Sequence, residues 1–185
     1  MTVSVLGVAG SPRRGGNSET LLDEVLKGAK EAGALTEKIV LAQSNIGPCK
    51  ACNVCSQTGT CIQDDDMATT IVKMKASRVW VLATPVYWWG PTAQMKAFID
   101  RWYAIPRDIF RGKRIILAAS SNGGETYQEL MVETFSEIFD YLGMEKYRIL
   151  QVAGTSAKTS ARNNFALMEA AHAAGLDAVK TLSGP

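Results

Sequence analysis

All four cysteines of the chain fall between positions 49 and 61, in the spacing C-x2-C-x2-C-x5-C. Two-residue intervals let successive thiolates turn toward one small centre, and the longer last interval lets the fourth reach round it. Iron–sulfur clusters are held at such intervals, and a [4Fe–4S] cluster needs four thiolates. Cys49, Cys52, Cys55 and Cys61 are therefore a candidate ligand set, with Pro48 and Gly59 favouring the turns. Structural zinc normally pairs two cysteine knuckles across a longer spacer, which this run lacks. Free or structural thiols and a redox-active disulfide are the competing readings.

A second group of residues suits an anion. Gly10-Ser11-Pro12-Arg13-Arg14-Gly15-Gly16-Asn17-Ser18-Glu19-Thr20 leads into a helix. The first backbone N–H groups of a helix lack intrahelical partners and carry the positive end of its dipole. Ser11, Asn17, Ser18 and Thr20 add side-chain donors, and Arg13 can close over a phosphate. A polar turn in which Asn17 or Ser18 merely caps the helix is the plainer alternative. There is no G-x-x-x-x-G-K-[ST] and no G-x-G-x-x-G, and Gln43-Ser44-Asn45 after the second strand offers no acid for a ribose.

Two further loops could hold something flat. Thr84-Pro85-Val86-Tyr87-Trp88-Trp89-Gly90-Pro91 places three aromatics in a row between prolines. Aromatic faces stack on planar ligands, and proline fixes the backbone that carries them. Packing against a helix or another subunit would use the same residues. Ser120-Ser121-Asn122-Gly123-Gly124-Glu125 allows close approach of backbone to a ligand. The single histidine, His172, sits in an Ala-rich helical stretch, so Ser-His-Asp hydrolysis and His-rich metal sites have no support. Asp64–Asp66 reads as a helix start favoured by the dipole.

The elements that must position these loops alternate. Strand patterns at Val3–Val8, Glu37–Ala42, Arg78–Ala83, Lys113–Ser120 and Tyr147–Ala153 alternate with helical patterns at Asn17–Ala32, Asp66–Ala76, Thr92–Tyr103, Glu125–Leu142 and Ala161–Leu182. Ile115-Ile116-Leu117-Ala118-Ala119 is continuous enough for a central parallel strand covered on both faces. Five βα units imply an α/β fold, a three-layer sandwich with a five-stranded parallel sheet of order 2-1-3-4-5. Ligands of such sheets bind outside the carboxyl ends of the strands, where all the loops above lie. The expected organisation is one domain over 1–185, with a cysteine-rich insertion at 44–65.

A net charge of +2, from 20 basic and 18 acidic side chains, leaves no basic patch for nucleic acid. The apolar amino terminus has no basic leader and runs straight into a Gly-Ser-Pro loop, so it reads as a strand and not as a signal peptide. No apolar stretch approaches the roughly 20 residues of a membrane helix. The expected compartment is the cytoplasm, where thiols stay reduced.

Gly10-Ser11-Pro12-Arg13…Asn17-Ser18, Thr84-Pro85-Val86-Tyr87-Trp88…Gly90 and Gln94-Met95-Lys96-Ala97-Phe98-Ile99-Asp100-Arg101 resemble the NAD(P)H-dependent FMN reductases of the flavodoxin superfamily. The cysteine run, followed by Asp65-Asp66-Met67, resembles the iron–sulfur flavoprotein branch of that superfamily. The resemblance implies a flavodoxin-like, FMN-dependent oxidoreductase using NAD(P)H as co-substrate. It implies the FMN phosphate on Ser11, Arg13, Asn17 and Ser18, and the isoalloxazine ring against Pro85, Val86, Tyr87, Trp88, Gly90, Asn122 and Gly123. Trp89 stands where many relatives have glycine, which would narrow the opening beside the ring. Expected partners are a small-molecule electron donor and acceptor, a ferredoxin-like redox protein, and further copies of the chain in a homodimer or homotetramer. A cluster-free reductase or dehydrogenase and a non-catalytic electron carrier or redox sensor are the alternatives.

Overall fold

The computed structural model describes residues 2–182. Five parallel strands, β1 (Ser4–Ala9), β2 (Leu35–Val40), β3 (Val79–Pro85), β4 (Arg114–Ser120) and β5 (Glu145–Val152), form one sheet of order β2-β1-β3-β4-β5. Six α-helices are described: α1 (Asn17–Glu31), α2 (Val54–Thr58), α3 (Met67–Ala76), α4 (Ala93–Asp100), α5 (Thr126–Leu142) and α6 (Phe165–Lys180). The order expected from the alternating pattern is the order observed. Connections to β2 and β3 leave β1 on opposite sides, so the loops after β1 and β3 meet at the switch point.

Strand alternation divides the interior into two layers. Val5, Val79, Val81 and Ile116 face the layer of α1 and α6, with Leu22, Val25, Ala171 and Ala178. Their neighbours Leu6, Trp80, Leu82 and Ile115 face the layer of α3, α4 and α5, with Met74, Phe98, Phe135 and Phe139. Both faces of β3 and β4 are thus covered, which is why those strands read as continuous apolar runs. Trp102 and Phe110 pack edge-on to Trp80 in the second layer, whereas Tyr103 is exposed.

Several boundaries differ from the pattern. β3 extends through Pro85 because its ladder with β4 continues to Ser120. α4 stops at Asp100 and tightens into a 3-10 turn over Arg101–Ala104. The last helix starts at Phe165, not Ala161, because Asn164 caps it by accepting from the Leu167 N–H at 3.1 Å. The short α2 inside the cysteine segment has no apolar period to announce it.

α1 and α6 cross backbone to backbone. A Cβ on Gly28 would run into the His172 carbonyl, and one on Gly175 into the Val25 carbonyl. His172 itself bridges the helices, its ring nitrogens meeting Glu24 at 2.9 Å and Glu31 at 3.0 Å. In an open helix Gly→Ala gains up to about 1 kcal/mol of propensity. Gly175→Ala is expected instead to lose about 1–3 kcal/mol through forced separation of the helices. Urea unfolding of the two proteins measures this, and an unchanged or stabilised variant would contradict the close crossing.

Candidate functional site

Hydrogen bonds across the carboxyl edge of the sheet join the loops that sequence spacing singled out. Gly10 N–H donates to the Ala83 carbonyl at 2.7 Å, joining the ends of β1 and β3. Thr92, the N-cap of α4, donates from its hydroxyl to the Gly10 carbonyl at 2.6 Å and accepts from Met95 N–H at 3.2 Å. Val86 N–H donates to the Ser120 carbonyl at 2.8 Å, joining the ends of β3 and β4. Gln128, wholly buried in α5, donates to Ser121 Oγ and to the Val152 carbonyl. Thr92 and Gln128 were not singled out by their spacing; a Thr directly after Gly90-Pro91, at the start of a helical pattern, was the available signal for the first.

The first loop is shaped for an anion. Gly16 caps α1 with extended backbone and no side-chain acceptor, so no cap side chain occupies the first-turn N–H groups. Ser18 is only 2 % exposed, yet its hydroxyl makes no hydrogen bond among the described residues. Ser11 folds the loop back on itself, its Oγ accepting from Arg13 N–H at 3.1 Å. The Arg13 guanidinium is exposed and has no protein partner among the described residues. Glu19 secures the far side: it accepts from Gly15 N–H at 2.6 Å and pairs with Arg14 at 2.9 Å and Lys38 at 3.1 Å. Burial alone would raise its carboxyl pKa, but the Gly15 N–H, Lys38 and Arg14 hold it below the ordinary range. Asn17, expected to offer its amide to the anion, spends both ends of it on the 157–161 segment. A dianion would meet open N–H groups, an orphaned hydroxyl and a free guanidinium, so the cradle fits a phosphate.

The second loop carries strain. Tyr87 and Gly90 exchange both backbone hydrogen bonds, at 2.8 and 3.1 Å, around a two-residue turn. Trp88 and Trp89, the residues of that turn, both adopt left-handed backbone, with φ of 50° and 60°. Turns of this kind favour Asn and Gly, and the conformation costs roughly 1–2 kcal/mol per bulky residue. Trp88 is 91 % exposed, so packing within the chain does not offset the cost. Trp89 stacks on Tyr127 at 6.0 Å and 29°, and the Tyr127 ring lies against Gly123. Tyr87 and Asn122 are exposed, and Pro85, Val86, Gly90 and Gly123 are half-buried. A Cβ at Gly124 would meet nothing within 4 Å. Rigid aromatics on one side and open backbone on the other fit a planar ring, and strain kept at a surface points to use there.

The four cysteines ring one cavity of about 350 Å3, walled also by Arg101, Tyr103 and Ala104. All four are free thiols. Ala51 and Asn53 are left-handed, with φ of 51° and 57°, and Ala51 N–H points to Cys49 Sγ at 3.5 Å. Such alternating backbone turns N–H groups into concavities of the kind that hold iron–sulfur centres. No three His, Cys, Asp or Glu side chains among the described residues converge tightly enough for a single metal ion. Thiols lining one cavity are the donor type that iron–sulfur centres take.

Arg101 is the functional residue the sequence reading missed. Its side chain is 1 % exposed and its partner Asp65 8 % exposed. The guanidinium donates to both Asp65 oxygens at 2.6 and 3.1 Å, to the Gly47 carbonyl at 3.0 Å and to Cys61 Sγ at 3.2 Å. Its Nε is buried with no partner. Burial would raise the Asp65 and Cys61 pKa values. Hydrogen bonds from Arg101 and Gly47 N–H bring Asp65 below its ordinary range, and those from Gln63 N–H and Arg101 do the same for Cys61. Asp65 also accepts from Met67 N–H at 3.1 Å, so the helix-start reading of the aspartates describes only part of its duty.

The sequence matches the family described as NADPH-dependent FMN reductase over residues 3–159, and the chain belongs to that family. It is 35% identical over 144 residues to an iron–sulfur flavoprotein of Methanosarcina thermophila, covering 77% of this chain and 75% of that one. It is 36% identical over 142 residues to an iron–sulfur flavoprotein of Methanocaldococcus jannaschii, covering 74% and 72%. The fold matches that of an NAD(P)H:quinone oxidoreductase from Methanothermobacter marburgensis, with a TM-score of 0.73 over 97% of this chain and 98% of that one at 16% identity. The protein is thus a flavodoxin-like member of an FMN-dependent NAD(P)H oxidoreductase family.

Truncation of Arg101 tests the buried pair. Arg101→Met leaves Asp65 charged and unpaired and is expected to cost about 3–5 kcal/mol at pH 7. Asp65 is depressed in the fold, so the pair's contribution is full above the ordinary Asp range and fades as pH falls through the lowered value. The gap between wild type and variant should therefore narrow in acid, read by denaturant unfolding at several pH values. A small, pH-independent gap would contradict the assignment.

Proposed function

We propose that this chain is an FMN-dependent oxidoreductase of iron–sulfur type, moving electrons between NAD(P)H or another donor, FMN, a [4Fe–4S] cluster and an acceptor. Ser11, Arg13, Ser18 and the first-turn N–H groups of α1, that of Asn17 among them, would hold the FMN phosphate. Pro85, Val86, Tyr87, Trp88, Gly90, Asn122 and Gly123 would hold its ring, and Cys49, Cys52, Cys55 and Cys61 the cluster. When bound, FMN would supply exchange between paired and single electrons, and a cluster held by the four thiols would supply one-electron chemistry. The chain's own residues place and tune. Thr92 locks the first loop to α4, Trp89 and Tyr127 close the gap between the aromatic and glycine loops, and Arg101 directs an N–H at the sulfur of Cys61. No side chain of the site need act as nucleophile.

The observation that carries this reading is the ring of four free thiols around one cavity whose wall begins where α4 ends. α4 has 8 residues, about 12 Å of helix, and its other end is capped beside the aromatic loop. One short rigid element thus joins the two candidate cofactor sites. The chain's similarity to the two iron–sulfur flavoproteins named above supports the reading. The described residues include no helix long and apolar enough to cross a membrane. A cytoplasmic setting, small-molecule donors and acceptors, a ferredoxin-like partner and a homo-oligomeric state complete the proposal.

Anaerobic purification followed by a visible spectrum and iron and sulfide analysis tests it. The expected protein is brown, carries FMN, and contains about four iron and four sulfide per chain, with iron lost and flavin kept in Cys52→Ser. Yellow protein without iron would reduce the reading to a cluster-free flavin reductase. Colourless protein that refuses added FMN would overturn it.

A further inference from the structure

Between β5 and α6 the chain runs through an irregular segment, 153–164, whose last four residues the sequence pattern had assigned to helix. Hydrogen bonds pin that segment at two points, one on the loop after β4 and one on the first turn of α1. On one side Thr155 donates from N–H and hydroxyl to the Ser121 carbonyl, at 2.9 and 2.8 Å, and Gly154 N–H donates to the Gly123 carbonyl at 2.9 Å. On the other, Asn17 grips it from the first turn of α1. Its Oδ1 accepts from Ala161 N–H and its Nδ2 donates to the Ala157 carbonyl, both at 2.9 Å, and Asn17 is 8 % exposed.

Lys158 lies between the two residues that Asn17 holds, Ala157 and Ala161. A methyl group built on Gly15 would sit 3.8 Å from Lys158 Cε and 3.9 Å from Nζ, so the ammonium is suspended over the first loop. It has no ion pair or hydrogen bond among the described residues. The neighbouring cations are engaged: Arg14 and Lys38 both pair with Glu19, and Arg14 also donates to Gln43 at 2.9 Å. Arg13 and Lys158, which pair with nothing among the described residues, thus bring uncommitted positive charge to the first loop. A doubly charged phosphate meets one of these cations from its own loop and the other from a strap delivered 140 residues later in the chain.

We propose that Lys158 is a second cation for the phosphate of FMN, and that Asn17 serves that phosphate chiefly by positioning the Lys158 strap. The proposal rests on the flavin reading given above. A cation placed on a phosphate monoester strengthens FMN and leaves riboflavin, which has no phosphate, unaffected. Asn17, acting through the strap, adds nothing once Lys158 is removed.

Flavin-stripped full-length protein, titrated with FMN and separately with riboflavin and followed by flavin fluorescence, provides the test. Lys158→Ala is expected to weaken FMN about tenfold, to leave riboflavin unchanged, and to flatten the salt dependence of FMN affinity. Lys158→Arg should retain most of the affinity. Asn17→Ala should weaken FMN in the same direction, and the double variant should be no weaker than the weaker single one. Equal losses for FMN and riboflavin, or no loss with Lys158→Ala, would overturn the role of Lys158. Additive losses in the double variant would overturn the role of Asn17 as a positioning residue. Wild-type protein that binds neither flavin would instead defeat the flavin reading itself, a result distinct from both.

Discussion

A buried guanidinium holds the cysteine segment to the rest of the molecule. Arg101 leaves the end of α4 and reaches, in one turn, the Asp65 carboxylate, the Gly47 carbonyl and the Cys61 sulfur. The segment between β2 and α3 has few apolar residues and only a five-residue helix of its own. Without Arg101 nothing of comparable strength would fix its course. Burying two charges costs several kcal/mol each, and the attraction between them offsets this only when the remaining donors and acceptors are met. Asp65 is met on all sides, by Arg101, Gly47 N–H and Met67 N–H. Arg101 keeps one Nε–H unspent beside the thiol cavity. The arrangement sacrifices stability for placement, as expected at a site and not in a mere core.

The same division of labour recurs at the sheet edge. Trp88 and Trp89 are held in a backbone form that glycine or asparagine would adopt more easily. The surrounding ladder from Val86 to Ser120 and the cap at Thr92 are regular and fully bonded, so they can carry that strain. Rigid scaffold and strained loop are therefore adjacent in the chain, with α4 as the element common to the aromatic turn and the cysteine cavity. Electron exchange between two sites needs this kind of fixed relation more than it needs any reactive side chain.

Much of this was legible in the residues. A parallel sheet followed from five βα units, because parallel strands need crossovers, and 2-1-3-4-5 is the common order for five such strands. The loops at one edge were legible because glycine, proline and aromatic clusters have no reason to sit at the end of a buried strand. Long-range pairing was not. Arg101 reads as the polar end of an amphipathic helix, and its partner lies 36 positions earlier. Three successive aspartates at 64–66 were the one hint that a buried cation awaited them. Asn17 reads as a cap or an anion ligand, and its grip on Ala157 and Ala161 spans 140 and 144 positions. Helix ends slipped where a local cap, such as Asn164, overrode the apolar period.

The central claim is that one chain holds two redox centres in electronic contact. Anaerobic reductive titration of the purified protein counts them directly. Uptake of two electrons for the flavin and one more for the cluster per chain is expected, with both chromophores bleached. Uptake that stops at two electrons, with the flavin alone responding, would contradict it.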